Sequence, residues 1–243
     1  MEVYWGTLEL LDYVFFATVE RAKVYETGAF IHNYALAYAF HLASAPYSHV
    51  VQEPHYEEEL HPANEQGVYL TPARPIEISH RRVQFNTIAE GYGFTGKERS
   101  IGYPDWGFIR VLRLGSRFEF YALVADPTAL PGMSMFGAAL NGTPVYIRLG
   151  KFSGKARVRF QKSRSVEEGQ GDFTANALLN WRDLPVEPIF PGDIYPAALP
   201  TRLVANSRFI DALYYRAHFG EEAVRLPGGM RFLARPIDRR KRR

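Results

Sequence analysis

The chain has 243 residues, of which 47% are hydrophobic, 23% are charged and none is cysteine. This composition is typical of a folded globular protein, and it excludes disordered chains, collagen-like repeats and disulfide scaffolds. The lack of cysteine also excludes thiolate catalysis and zinc–thiolate sites. No apolar run approaches the roughly 20 residues that a membrane-spanning helix needs, so we expect a cytoplasmic protein with no membrane partner.

Charge is divided unevenly along the chain, although the net charge is only +3. Residues 1–70 carry ten acidic and two basic side chains, whereas residues 71–164 carry six acidic and fifteen basic ones. No acidic residue occurs between Asp126 and Glu167. We expect this middle stretch to attract a polyanion, and the acidic first block to face away from it or to meet a basic neighbouring subunit.

The first third of the chain predicts one strand, one helix and one excursion. Residues 3–18 are rich in β-branched and aromatic side chains and predict a long central strand. Thr27 is a candidate N-cap for a helix over residues 29–45, where apolar side chains recur at helical spacing up to Pro46. Residues 46–75 contain five prolines and three consecutive glutamates, so they predict an acidic excursion without helices.

The remaining elements are mostly short strands. Strands are predicted at residues 83–92, 108–114, 118–124, 145–149 and 155–160, with residues 112–118 forming a hairpin connection. Helices are predicted over residues 174–180 and 207–218, a linker over 184–200, a last strand near 230–233 and a basic tail over 236–243. This order indicates a single α+β domain over residues 1–235, for which a ferredoxin-like core is one plan among several.

The most basic segment alternates in the manner of a strand. In residues 156–160, Arg157 and Arg159 are predicted to share one face, while Val158 and Phe160 point to the core. Cations repeated on one face repel each other unless an anion lies across them, and a nucleic-acid backbone is one such anion. A solvated strand face that only keeps the protein soluble is the alternative.

Residues 91–97 (GYGFTGK) match two nucleotide-binding patterns, but the context does not fit either one. Glu98 occupies the place of the magnesium-binding Ser or Thr of a P-loop, and no apolar helical pattern follows a Rossmann-type glycine run. The segment also partly matches an RNA-recognition-motif strand. We interpret residues 91–105 as a hairpin whose tip carries Lys97 and Arg99 toward phosphates.

No catalytic or metal-binding signature emerges. His49, His55 and His61 are six residues apart, which is not a ligand spacing on a helix, so solvated histidines are preferred to a metal site. His32 is expected to be a satisfied histidine at a helix surface or an interface. His80, beside Arg81 and Arg82, is the one candidate general base for a metal-independent ribonuclease.

Three segments carry a family resemblance. Residues 24–28 (VYETG), 30–39 (FIHNYALAYA) and 146–151 (YIRLGK) resemble the Cas-five subunit of type I-D CRISPR effector complexes, the Csc-one family. The resemblance implies a ferredoxin-like domain of the RNA-recognition type that holds the 5′ handle of the CRISPR RNA. It also implies contacts with Cas-seven-type backbone subunits and a Cas-ten-type large subunit, with target DNA near its adjacent motif as a further partner. A thumb-like insertion is implied too, with residues 46–75 and 91–105 as candidates.

Only Arg148, Gly150 and Lys151 carry over from the family by motif. Together with the residue-based analysis, the candidate RNA contacts are Arg81, Arg82, Lys97, Arg99, Arg148, Gly150, Lys151, Lys155, Arg157, Arg159 and Lys162. The candidate base-stacking residues are Tyr92, Phe94, Tyr103 and Phe152.

The expected function is therefore that of a non-catalytic CRISPR-RNA-binding subunit that needs no cofactor and no metal. Two alternatives stay open. One is a Cas-five-type endoribonuclease that processes precursor RNA, and the other is a generic protein-interaction module.

Overall fold

The computed structural model describes residues 1–16, 18–21, 24–45, 54–86, 106–129, 135–195 and 200–235. Within these ranges the chain is mostly β, with strands in four sheets and only short helices. In chain order, the strands are β1 (Glu2–Leu10), β2 (Val19–Arg21), β3 (Val24–Glu26), β4 (Val68–Leu70), β5 (Arg74–Glu77), β6 (His80–Asn86), β7 (Trp106–Leu112), β8 (Arg117–Val124), β9 (Val145–Leu149), β10 (Gly154–Lys162), β11 (Ser165–Thr174), β12 (Leu179–Asn180), β13 (Asp193–Tyr195), β14 (Leu203–Ala205), β15 (Arg208–Phe219) and β16 (Glu222–Pro227). The α-helices are α1 (Asn33–Ala39), α2 (Tyr56–Glu59), α3 (His61–Glu65) and α4 (Met135–Leu140).

An antiparallel sheet of six strands forms the centre of the molecule. Its order is β4-β8-β1-β10-β9, and β5 also pairs with β8. On its inner face, Phe120 of β8 and Phe160 of β10 pack against Phe40, which follows α1, and Phe160 also packs against Phe136 of α4. Gly6 of β1 lies beneath these rings, since a Cβ there would stand 2.7 Å from Phe120 and 2.8 Å from Phe160. Both helices therefore cover the same face of the sheet.

Three smaller sheets surround this centre. Their orders are β2-β3-β7-β6, β11-β15-β16 and β12-β14-β13. The first contains a parallel pair, β3 with β7, and its apolar residues Ile109 and Val111 form a cluster with Phe15. In the second, β15 is twelve residues long and Phe219 at its end packs against Trp5 on the outer face of the central sheet.

The first strand is central, as expected, but it ends at Leu10 instead of continuing to residue 18. The following helix is also shorter than the predicted 29–45. It begins after His32, whose Nδ1 accepts a hydrogen bond from the Tyr34 amide at 3.2 Å, so His32 and not Thr27 is the N-cap. The apolar spacing of residues 29–45 continues past the helix because the flanking residues, such as Leu42, enter the core in non-helical conformations.

The acidic excursion predicted over residues 46–75 is wrong for its described part, residues 54–75. The glutamates belong to α2, the histidine–proline pair that follows opens α3, and Val68–Leu70 and Arg74–Glu77 are strands of the central sheet. Leu60, Ala63 and the whole of β4 are buried. Proline is accommodated here because Pro62 lies in the first turn of α3, where its missing N–H costs nothing.

Three of the middle strands agree with the sequence, whereas β6 begins three residues before the predicted residue 83 and β7 lies two residues before the predicted 108–114. Val145–Leu149 has the predicted bounds, and β8 and β10 extend the predicted ranges by one or two residues. Residues 112–118, however, are not a hairpin connection, because β7 pairs with β6 while β8 pairs with β1. The segment passes between two sheets through a turn at Gly115, which has φ +82°.

The C-terminal helices are also wrong. Residues 207–218 lie in β15, residues 174–180 span the end of β11 and the start of β12, and residues 230–233 are not a strand. A register irregularity opposite Gly171 and Phe173 adds a residue near Asp211, so the buried Phe209 and Ala212 are three apart and imitate a helical spacing. The fold is thus less helical than the expected α+β class. The basic tail and the 91–105 hairpin lie outside the described residues.

Candidate nucleic-acid interface

The outer face of the central sheet, which points away from α1 and α4, carries a row of basic side chains on its last two strands. Ala156 and Val158 of β10 are buried on the inner face, as the alternation predicted. Arg148 of β9 and Lys155, Arg157 and Arg159 of β10 lie on the outer face, and we call these four residues the basic stripe. Three of them are exposed and Arg157 is half-buried.

One acidic side chain of the neighbouring strand interrupts the stripe. Glu9 of β1 lies opposite Arg157 and forms an ion pair with it, whereas Thr7 lies opposite Arg159. In the described part of the chain, no carboxylate pairs with Arg148, Lys155 or Arg159. Glu9 of the acidic first block thus lies beside these cations and not away from them, which sequence patterning within one strand does not reveal.

Aromatic and backbone groups hold two of the basic side chains. The Lys155 ammonium lies 4.3 Å from the ring centroid of Tyr146, and the Arg148 guanidinium donates to the Ser153 carbonyl at 3.1 Å. Tyr146 is itself 52% exposed and alternates with Arg148 on β9. It was not predicted as a base-stacking residue, although its period-2 relation to Arg148 is a signal that the sequence contains.

The turn between β9 and β10 places one predicted stacking residue at the surface. Phe152 is 59% exposed and stacks on Phe15 with ring centroids 5.6 Å apart. The exposed Lys151 is anchored through its amide, which donates to the Phe15 carbonyl at 2.9 Å. Gly150 has φ +75°, and a Cβ there would stand 2.7 Å from the same carbonyl oxygen. The close approach of this turn to Phe15 therefore explains why the residue is glycine, without any contact to RNA.

The other predicted cations are dispersed. Arg81 and Arg82 follow each other on β6 and point to opposite faces, where Arg81 donates to the Tyr13 hydroxyl at 2.5 Å and Arg82 lies 5.9 Å from the Phe108 ring. Lys162 has its place on the same face of β10 as Val158, which is not the face of the stripe. Its ammonium lies 2.6 Å from Glu2. Lys97, Arg99, Tyr92, Phe94 and Tyr103 lie outside the described residues.

A cleft follows the stripe on the same outer face. It has a volume of about 310 Å³ and lies between the central sheet and the β15–β16 hairpin. We call it the aromatic cleft, and its lining residues are Trp5, Arg74, Tyr121, Asn176, Phe219, Glu222, Ala223 and Val224. Sequence analysis missed this cleft, because its residues come from six separate strands or turns.

A buried polar network joins α1 to the C-terminal third of the chain. The Asn33 amide donates to the Asp183 carboxylate at 2.6 Å, and the Asn180 amide donates to Asn33 at 3.0 Å. His32 reaches the same network through Thr201, whose hydroxyl lies 3.1 Å from His32 Nε2 and donates to Asn180 at 2.6 Å. The remaining donors to the Asp183 carboxylate are the hydroxyls of Tyr34 and Tyr69 and the amide of Leu233.

Burial controls protonation in this network. It raises the pKa of Asp183 to about 7, against the lowering effect of its hydrogen-bond donors. It lowers the pKa of His32 to about 3, so this histidine is neutral. His32 is satisfied, as expected, but it is buried and not at a surface.

His80, the candidate general base, is half-buried, and its Nε2–H donates to the Thr27 carbonyl at 3.1 Å. Burial lowers its pKa. Over the described ranges, no group of three His, Asp or Glu side chains is arranged to hold a metal ion, and His55 and His61 are both exposed. The described helices are all too short or too polar to cross a membrane.

Comparisons with known proteins place the chain in a family. The model of the type I-D CRISPR-associated protein Cas5/Csc1 matches residues 1–235. Among solved structures, the chain is similar to a CRISPR protein from Archaeoglobus fulgidus, with 11% identity and a TM-score of 0.41 over 93% of this chain and 99% of that one. Among curated proteins, no significant match was found. Because the family model covers nearly the whole sequence, the chain belongs to the type I-D Cas5/Csc1 family of CRISPR-associated proteins.

Proposed function

We propose that this CRISPR effector subunit holds the 5′ handle of the guide RNA and caps one end of the backbone of the complex. The ribose-phosphate strand of the handle lies along the basic stripe. The observation that carries the proposal is the exposed row of Arg148, Lys155 and Arg159, which has no carboxylate partner in the described part of the chain.

The spacing of the stripe supports this path. Residues two apart on one strand face are separated by about 6.6 Å, which is close to the distance between successive phosphates of an extended single strand. Lys155 and Arg159, which are four residues apart on β10, therefore offer one free cation for every second phosphate, and Arg157 between them is paired with Glu9. Phosphate contacts of this kind position a strand without reading its sequence. Tyr146 and Phe152, both exposed beside the stripe, offer faces on which bases can stack.

The topology supports a ferredoxin-like core as the scaffold. Taken in chain order, β1, α1, β4, β8, α4 and β10 follow the β-α-β-β-α-β plan, and the sheet order β4-β8-β1-β10 is the one this plan requires. Both helices lie on one face, and on the opposite face the side chains of β9 and β10 remain exposed and available for RNA. In this interpretation β9 is an additional edge strand that forms a hairpin with β10.

The β6–β7 hairpin is our candidate for the thumb. The rival segment, residues 46–75, contributes the buried β4 to the central sheet and is thus part of the core. The β6–β7 hairpin instead leaves the central sheet between β5 and β8 and carries the exposed Arg81, Arg82 and Arg110. Residues 87–105, which join its strands in sequence, contain Lys97 and Arg99.

We further propose that the subunit is non-catalytic and that it contacts backbone and large subunits of the complex. Anchoring of the His80 Nε2–H on the Thr27 carbonyl supports a structural role for this histidine. The test is incubation of the full chain with repeat RNA in EDTA. Discrete cleavage by the wild type that His80→Ala abolishes would favour an endoribonuclease and would contradict this part of the proposal.

The RNA path is tested by charge removal. In the triple variant Arg148→Ala, Lys155→Ala, Arg159→Ala, we expect weaker binding of a fluorescent repeat RNA. The slope of log affinity against log salt should fall by about 0.7 for each phosphate that no longer meets a cation. The readout is fluorescence anisotropy at several salt concentrations.

The matched control removes the same charge elsewhere. Arg202, Arg208 and Arg231 are exposed and lie outside the central sheet. Their replacement by Ala should leave the salt slope unchanged. An equal decrease of slope in both triple variants would mean that only net charge matters, and it would contradict the path along the stripe.

A further inference from the structure

The aromatic cleft combines the features of a base-binding site. Trp5, Tyr121 and Phe219 form its aromatic walls, with the ring centroid of Phe219 6.2 Å from Trp5 and 6.1 Å from Tyr121. Its volume of about 310 Å³ lies at the lower end of the range of small-molecule sites, about 300–1,000 Å³. Tyr121 and Phe219 are almost fully buried and fix the walls by packing, so the half-buried Trp5 is the ring that a ligand can reach.

The Glu119 carboxylate orients two of the residues that line the cleft. The Trp5 indole N–H donates to one oxygen of Glu119 at 2.9 Å, and the Arg74 Nε–H donates to the other at 2.5 Å. Arg74 is fixed a second time, because it donates to the Asn176 carbonyl at 2.8 Å. An aromatic wall and a guanidinium are thus oriented before any ligand arrives, which reduces the entropy cost of binding.

The charges of the cleft fit a base better than a phosphate. Glu222 lines it and would repel a phosphate, but its carboxylate can accept hydrogen bonds from the N–H groups on the edge of a base. Arg74 supplies the complementary donors to ring nitrogen or carbonyl acceptors. Aromatic walls with one acceptor and one donor group are the usual means of holding an unstacked base.

The cleft is also continuous with the basic stripe. Trp5 lies opposite Gln161, which follows Arg159 by one step on the outer face of β10. We propose that the aromatic cleft holds a single unstacked nucleobase of the RNA strand whose phosphates lie along the stripe. This inference rests on the proposed RNA-binding function, and it adds a site that reads one position of the strand.

The test is a double-mutant cycle between the cleft and the RNA. The exposed Ala223 lines the cleft on β16, so Ala223→Trp should fill it without disturbing the core. The probes are a short repeat-derived RNA and a set of copies in which each nucleotide in turn is abasic. With the wild-type full-length chain, one abasic position should weaken binding by about 5- to 140-fold, which corresponds to the loss of one base–aromatic stack. In the Ala223→Trp variant, an abasic nucleotide at that position should no longer change the affinity.

The control is Leu213→Trp, which adds the same ring to the exposed face of β15 outside the cleft. The Leu213→Trp variant should lose affinity at the same abasic position as the wild type. No sensitive position, or one that persists in Ala223→Trp, would overturn the base site. If RNA still bound with a salt slope set by the stripe, the proposed function would survive this failure. If the wild type did not bind the RNA at all, the proposed function itself would fail.

Discussion

The outer face of the central sheet and the buried network around Asp183 use polar residues in opposite ways. On the outer face, Arg148, Lys155 and Arg159 are exposed and have no carboxylate partner in the described ranges. In the buried network, the Asp183 carboxylate receives donors from α1, from β4 and from the segment after β16. The exposed cations can still bind a ligand, whereas the polar groups of the buried network already bind one another.

This difference separates two of the three segments that carried the family resemblance. Residues 30–39 contribute His32, Asn33 and Tyr34 to the buried network, so their pattern reflects folding. Residues 146–151 contribute Tyr146 and Arg148 to an open surface. A family motif therefore does not by itself mark a binding site. A buried motif serves folding, and only an exposed one is available to a ligand.

The largest expected effect is on the buried network. Asp183→Ala leaves four donors without an acceptor and should lower the free energy of unfolding by about 3–5 kcal/mol, measured by urea titration. Glu168→Ala, which removes an exposed carboxylate from β11, should change it by less than about 0.5 kcal/mol. The RNA affinity of the folded fraction should be unchanged in both. Equal stabilities of the two variants would contradict a structural role for the network.

The next effect is a pH dependence. The folded pKa of Asp183, about 7, exceeds its ordinary value of 3.8, so the folded state holds a proton that the unfolded state releases, and stability falls as the pH rises through this window. The pKa of His32, about 3, lies below its ordinary 6.5, so stability falls as the pH drops from 6.5. The two trends oppose each other over most of the acidic range.

Removal of the histidine should expose the first trend. His32→Asn keeps an N-cap acceptor but cannot titrate, so the variant should gain stability relative to the wild type as the pH falls below 6.5. The gain is at most about 1.4 kcal/mol for each pH unit. The measurement is the free energy of unfolding of both proteins from about pH 7 to about pH 4. Parallel profiles would mean that His32 is not neutral and buried in the folded protein.

Gly150 tests whether a motif residue on the open surface is structural. Gly150→Ala combines a positive φ with a clash against the Phe15 carbonyl, and it should cost about 2–3 kcal/mol of stability. Gly142→Ala is the matched control, since Gly142 has φ +85° but open space around it, and it should cost only about 1 kcal/mol. If the two variants were equally stable and only Gly150→Ala bound RNA more weakly, Gly150 would be an RNA contact instead.

The sequence predicts those parts of the molecule whose pattern is local. The alternation of residues 145–149 and 156–160 gave strands and faces correctly, because period 2 is a property of a single strand. The failure at residues 207–218 has a physical cause, since the irregularity near Asp211 changes the apparent period of β15. The Arg157–Glu9 pair and the aromatic cleft depend on which strands become neighbours, and strand order is not encoded in any one segment.

The smallest effect tests the charge that interrupts the stripe. Glu9→Gln removes the carboxylate that pairs with Arg157, so the Arg157 guanidinium becomes available to a phosphate. Removal of this partly exposed ion pair should lower stability by no more than about 1 kcal/mol. RNA binding should strengthen by a few-fold, and the salt slope should rise by up to about 0.7, measured by anisotropy. Glu2→Gln is the control, because it frees Lys162, whose position on β10 has the parity of the inner face. If both variants strengthened binding equally, the RNA would respond to the overall charge of the chain and not to the side of the sheet on which that charge lies.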